Sequence, residues 1–141
     1  MTCDELIAAL EDCRLAPADF DHRAHVQAGF TYLQRHGYAG ALTAMARSLR
    51  RFAAHHGKGG LYHETVTVAF ITLIHERMAE DLIALGLSDP MLLAWDYFAK
   101  RHIDLFIGNL LTRYYSKDTL ASELARRCFV LPRAAPGAPI S

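Results

Sequence analysis

The sequence predicts an all-α fold, an antiparallel bundle of five to six helices. Three observations carry that prediction. Apolar residues recur at steps of three and four along nearly the whole chain, and no stretch alternates with period two. The apolar segments are joined by short Gly-, Pro- or Ser-bearing breaks, which favour antiparallel neighbours. With 52% hydrophobic residues in 141, the chain can bury a core without disulfides or a structural metal.

The first helix begins at Thr2, where Thr2-Cys3-Asp4-Glu5 spells a capping box. Leu6, Ile7, Leu10 and Cys13 form its apolar stripe, and Pro17 with Asp19 ends one element and opens the next. A second helix is expected from Asp21 to Arg35, with His22, His25, Gly29, Tyr32 and Leu33 facing inward and Gly37 closing it. The third, Tyr38 to His55, buries Leu42, Met45, Leu49 and Phe52 before the flexible run Gly57-Lys58-Gly59-Gly60. A fourth is expected from Leu61 to Leu85 on the stripe His63, Thr67, Phe70, Ile74 and Met78. Gly86 and Ser88-Asp89-Pro90 then separate it from a fifth, Met91 to Thr112, whose face carries Trp95, Phe98, His102, Leu105 and Asn109. Ser116 caps a last helix that runs to Arg127. Residues 1–131 are expected to form one helical domain, and 132–141, rich in Pro, Ala and Gly, a flexible tail.

Lys plus Arg and Asp plus Glu number 15 each, so there is no charge excess to bind nucleic acid or an anionic membrane surface. Arg47, Arg50 and Arg51 read as a solvated helix face. The three cysteines, Cys3, Cys13 and Cys128, form no paired framework, and Cys3 and Cys13 stand roughly 15 Å apart along one helix. Reduced thiols, an acidic rather than basic N-terminus and the shortness of the most apolar run, 65–74, point to a cytoplasmic chain. A small-molecule substrate or ligand is the expected partner, and a homo-oligomer is compatible with the composition.

The chemistry-bearing residues are histidines. His22 and His25, three apart, project from one helical face and are separated by about 4.5 Å along the axis. His63 lies on the stripe of another helix, which one reversing helix brings parallel to the first. Three buried imidazoles each need a polar partner, at roughly 1–3 kcal/mol for each one left without. One shared transition metal, Fe, Cu or Zn, would satisfy all three. His22, His25 and His63 are therefore the candidate metal ligands. Glu64 is a candidate fourth ligand, general base or orienting acceptor. Tyr62, Thr67, Tyr115 and Ser116 are candidates for the substrate pocket, with Tyr115 and Ser116 alternatively a helix connection and its N-cap. His102 reads as a core histidine, His75 as half-exposed, and His36, His55 and His56 as helix-end residues.

Three runs resemble a group of small bacterial all-helical proteins without an assigned activity. They are Phe20-Asp21-His22-Arg23-Ala24-His25, then Tyr62-His63-Glu64-Thr65, and finally Tyr115-Ser116 with Ser122, Ala125, Arg126, Phe129 and Pro132. The group carries H-x-x-H, Y-H-E-T and Y-S…S-x-x-A-R-x-x-F-x-x-P motifs, and the resemblance covers roughly residues 18 to 132. Arg133 departs from it, standing where the group has an acidic residue. The resemblance implies a shared site and no particular reaction. A looser analogy with the DinB-like bundles shows only that a small bundle can hold a metal with three histidines.

Two functions follow as expectations. One is a metal-dependent enzyme, an oxidoreductase, oxygenase or hydrolase, with an open coordination position over the three histidines. The other is a non-catalytic protein: a metal or small-ligand binder, or a partner-docking bundle.

Overall fold

The structure, a computed structural model, describes residues 1–133. The expected tail from 134 onward lies outside the described residues. Among those described there are six α-helices joined by 3-10 turns, and no strand.

α1 (Cys3–Glu11) starts on the expected capping box: Thr2 Oγ1 accepts from Glu5 N–H, and the Glu5 carboxylate accepts from Thr2 N–H, both at 3.1 Å. α2 spans His22–His55 but contains a reversal at Gly37, whose φ of 72° and ψ of −176° belong to no helix. Tyr32 and Ser48 prove the reversal. A continuous helix would hold them about 24 Å apart, yet their hydroxyls are 2.6 Å apart. The first limb, 22–36, and the second, 38–55, are the two helices the sequence separates at Gly37.

α3 (Glu64–Leu85) packs along both limbs of α2. The approach is close at Gly29, where an added Cβ would stand 3.0 Å from Ile74 Cδ1 and 3.1 Å from Ile71 Cδ1. Phe30, Tyr32, Ile71, Ile74 and Phe98 are sealed in the core these helices share. Their burial, at roughly 25 cal/mol per Å² of apolar surface, is the main force holding the bundle together.

The predicted fifth helix is not continuous. α4 (Trp95–Arg101) stops at His102, where the backbone leaves the helical region, and two 3-10 turns (Ile103–Phe106 and Leu110–Arg113) carry the chain on. The reason is polar. Asp81 of α3 is fully buried and accepts from His102 Nε2 at 3.0 Å and Arg101 Nε at 2.9 Å. Arg77 of α3 grips Asp104 with two bonds of 2.8 and 2.9 Å. Buried charge must be paired, and pairing these groups bends the chain. His102 is thus the core histidine the sequence suggests.

The last predicted helix is also two, α5 (Lys117–Ala121) and α6 (Glu123–Arg127), because Ser122 is extended and caps the second. A small second core of Leu111, Tyr115, Ala125 and Val130 clamps this end onto α3. The cysteines form no disulfide. No helix among the described residues is long and apolar enough to cross a membrane.

Candidate functional site

A cavity opens where the first turns of α2 and α3 lie side by side. It comprises two adjoining pockets, lobe one and lobe two, of about 310 Å³ each, with His25, Leu49, Val66 and Thr67 lining both. Lobe one is closed by aliphatic and aromatic groups, chiefly Val26, Met45, Phe70, Ile71 and Ile74, with His22 at its edge. Lobe two is lined by Phe20, Phe52, His56, Lys58, Tyr62 and His63, among others. Volumes of this size suit small organic molecules.

The three expected ligands lie around this cavity, with their nitrogens committed in different ways. His22 Nε2 donates to the Leu105 carbonyl at 2.8 Å, and its ring meets Phe70 edge-on. His25 Nδ1 donates to the Asp21 carbonyl at 2.7 Å, while its ring stacks on Phe20 with centroids 3.8 Å apart. This leaves the Nε2 lone pair of His25 without a hydrogen-bond partner among the described residues. Burial holds the His25 imidazole below the ordinary histidine range; the bond to Asp21 opposes that shift, and the neighbouring His22 adds to it.

His63 departs from expectation. It is not within the helix but is the N-cap of α3, in extended conformation, and its Nδ1 accepts from Val66 N–H at 3.1 Å. Its Nε2 donates to the Leu120 carbonyl at 2.7 Å. Both nitrogens are used by the backbone, so neither lone pair is left for a metal. Among the described residues no group of three or more His, Cys, Asp or Glu side chains could hold a metal ion. The expected set of His22, His25 and His63 therefore does not fit Fe, Cu or Zn here, and no chemistry is derived through such an ion.

Glu64 is not among the side chains that line either lobe. It accepts from Tyr62 Oη at 2.6 Å and lines a separate shallow groove with Arg47 and Arg50. Burial, then the bond to Glu64, pushes the Tyr62 phenol up to about 12. Arg50 lies 4.4 Å over the Tyr62 ring. Tyr115 and Ser116 are also elsewhere. Tyr115 is buried on another side of α3, where its hydroxyl donates to the Val130 carbonyl at 2.7 Å. Ser116 caps α5 by accepting from Thr119 N–H at 3.0 Å. Both residues take the connection-and-cap role that is the alternative to a catalytic one. Thr67 lines both lobes, its hydroxyl donating to the His63 carbonyl.

The sequence argument misses His56 and its neighbours. His56 ends α2, and its Nε2 is buried without a hydrogen-bond partner among the described residues. An orphaned buried nitrogen is rare enough to demand a reason. The signal is the stripe Leu49, Phe52, Ala53 and His56, at successive steps of three, one and three, which lines lobe two. Phe52 lies between, edge-on to Phe20 at 4.9 Å and 4.5 Å from His56.

Comparison with protein-family models, curated proteins and solved structures finds no match to this chain.

Proposed function

We propose that this domain binds a small, mainly apolar molecule between α2 and α3, with His25 as a neutral hydrogen-bond acceptor for it. The observation that carries this reading is the 2.7 Å bond from His25 Nδ1 to the Asp21 carbonyl. It fixes the tautomer, so the nitrogen left over is a lone pair at a cavity with apolar walls. A ligand that offers a hydroxyl or N–H there gains a hydrogen bond, while its carbon skeleton displaces water from the rest.

The test uses 2-naphthol and 2-methoxynaphthalene, which differ in that one donor. 2-Naphthol is expected to bind about five- to tenfold more tightly, the worth of one neutral hydrogen bond. His25→Phe, which keeps the stack on Phe20, removes the difference. Failure of both compounds to saturate the protein at millimolar concentration overturns the reading.

A metal-independent hydrolase is the second reading, favoured by the depressed basicity of His25. A buried imidazole that stays neutral near pH 7 suits a general base. His25 Nε2 would take a proton from water as that water attacks an ester carbonyl, and would return it to the departing alkoxide as the tetrahedral intermediate collapses to acid and alcohol. Turnover of 4-nitrophenyl butyrate that His25→Phe abolishes would favour this reading over simple binding.

A further inference from the structure

We propose that the natural ligand is an amphiphilic carboxylic acid, its apolar chain in lobe one and its carboxylate in lobe two against His56 and Lys58. The proposal rests on the binding reading above and adds the ligand's shape and charge: the carboxylate accepts from His56 and Lys58, while a hydroxyl or N–H partway along the chain is the donor to His25.

Three observations carry it. The lobes share His25, Leu49, Val66 and Thr67 as lining, so they lie on either side of these four side chains, and a ligand reaching both would pass His25. Both lobes are mainly apolar and each carries histidines, but only lobe two adds a cation, Lys58, together with His56 and Tyr62. Finally, His56 Nε2 is a buried polar atom with no hydrogen-bond partner among the described residues, and a ligand oxygen would supply one.

The sign of the head group follows from charge. Among the described residues no side chain lining lobe two is acidic, and Lys58 brings a cation to it. Glu64, tied to the lobe through Tyr62, shares its own groove with Arg47 and Arg50. The amino ends of α2 and α3 and the carboxyl end of α2 all border lobe two, so the helix dipoles there do not disfavour an anion. Lys58 and a His56 that can donate from Nε2 then decide for an anion. A carboxylate, with two acceptor oxygens, can meet both.

Calorimetric titration of the full chain with octanoate, 1-octanol and octylammonium tests this at matched chain length. Octanoate is expected to bind at least about fivefold more tightly than 1-octanol, and octylammonium more weakly than either. His56→Leu should weaken octanoate by about tenfold, the scale of a charge-assisted bond, and 1-octanol by less, so that the preference for octanoate falls. His56→Gln, which keeps a donor, should restore part of the loss. If His56→Leu does not fold, the preference for octanoate must instead fall in Lys58→Met.

Equal affinity for acid and alcohol, or an acid preference that survives both substitutions, overturns the carboxylate while leaving the apolar pocket standing. Binding of 2-naphthol with no binding of any eight-carbon chain overturns the two-lobed ligand. If 2-naphthol does not bind either, the pocket reading itself falls.

Discussion

The Asp21 carbonyl lies 2.7 Å from Nδ1 of His25, one helical turn further on. That bond leaves the ring's other nitrogen without a partner among the described residues, on a side chain that lines the cavity, and it ties the chemistry of the site to the first turn of α2. Asp21 caps the same turn with its carboxylate, which accepts from Ala24 N–H at 2.9 Å. One residue thereby starts the helix and orients the imidazole.

His25 is expected to titrate below its ordinary value of 6.5. A folded pKa below the unfolded one means that the folded state takes up the proton less readily. The associated stability is then complete above about pH 6.5 and shrinks as pH falls through the folded value. NMR titration of the histidine ring protons, with His25→Phe to assign the signal, reads this directly. A midpoint at or above 6.5 contradicts the burial argument.

His63 is expected to matter for stability rather than for metal binding. His63→Ala removes the cap of α3 and leaves the Leu120 carbonyl unpaired, for a cost of about 2–3 kcal/mol. His63→Asn keeps a capping group and should recover about half. Thermal unfolding gives the order; equal losses in both variants would show that the cap contributes little.

Gly37→Ala is expected to destabilise by about 1–3 kcal/mol, because φ 72° with ψ −176° is a conformation reserved almost wholly for glycine. No atom lies within 4 Å of where the new Cβ would stand, so the cost is backbone strain and not crowding. Gly60→Ala, at a negative φ and equally open, is the control and should change little. Similar losses in the two variants would refute the strain argument.

The helices and most of their breaks are legible in the sequence because local chemistry sets them. Thr2 and Glu5 cap α1 by short-range bonds, and Gly37 and Gly86 allow the backbone angles that end helices. What periodicity cannot reveal is a distant partner. The stripe Trp95, Phe98, His102 and Leu105 does face inward, yet the helix breaks at His102 because Asp81 and Arg77, more than twenty residues earlier, demand partners. The histidine site follows the same division. Spacing places His22 and His25 at one cavity, but whether an imidazole nitrogen is free depends on carbonyls at Asp21, Leu105 and Leu120. The Tyr62-His63-Glu64-Thr65 run reads as chemistry and serves largely as architecture: His63 caps α3, and Thr65 donates to the Cys128 carbonyl while accepting from Val130 N–H.

The Arg77–Asp104 pair predicts how the fold responds to acid. Arg77 holds the Asp104 carboxyl down at about 2, from an ordinary 3.8, chiefly through its two hydrogen bonds. A carboxylate whose folded pKa is depressed stabilises the fold above its unfolded pKa, and that contribution drains away as pH falls through the folded value. The window is therefore about pH 4 down to about 2. Asp104→Asn should lower stability at pH 7 and flatten its dependence on pH within that window, as measured by urea unfolding at a series of pH values. Arg113 also reaches Asp104, at 3.3 Å, but its side chain is 56% exposed, so solvent screens that pair. Arg113→Met should leave the acid limb almost unchanged. If it flattens the limb as much as Asp104→Asn does, the bidentate grip of Arg77 is not what holds the carboxylate.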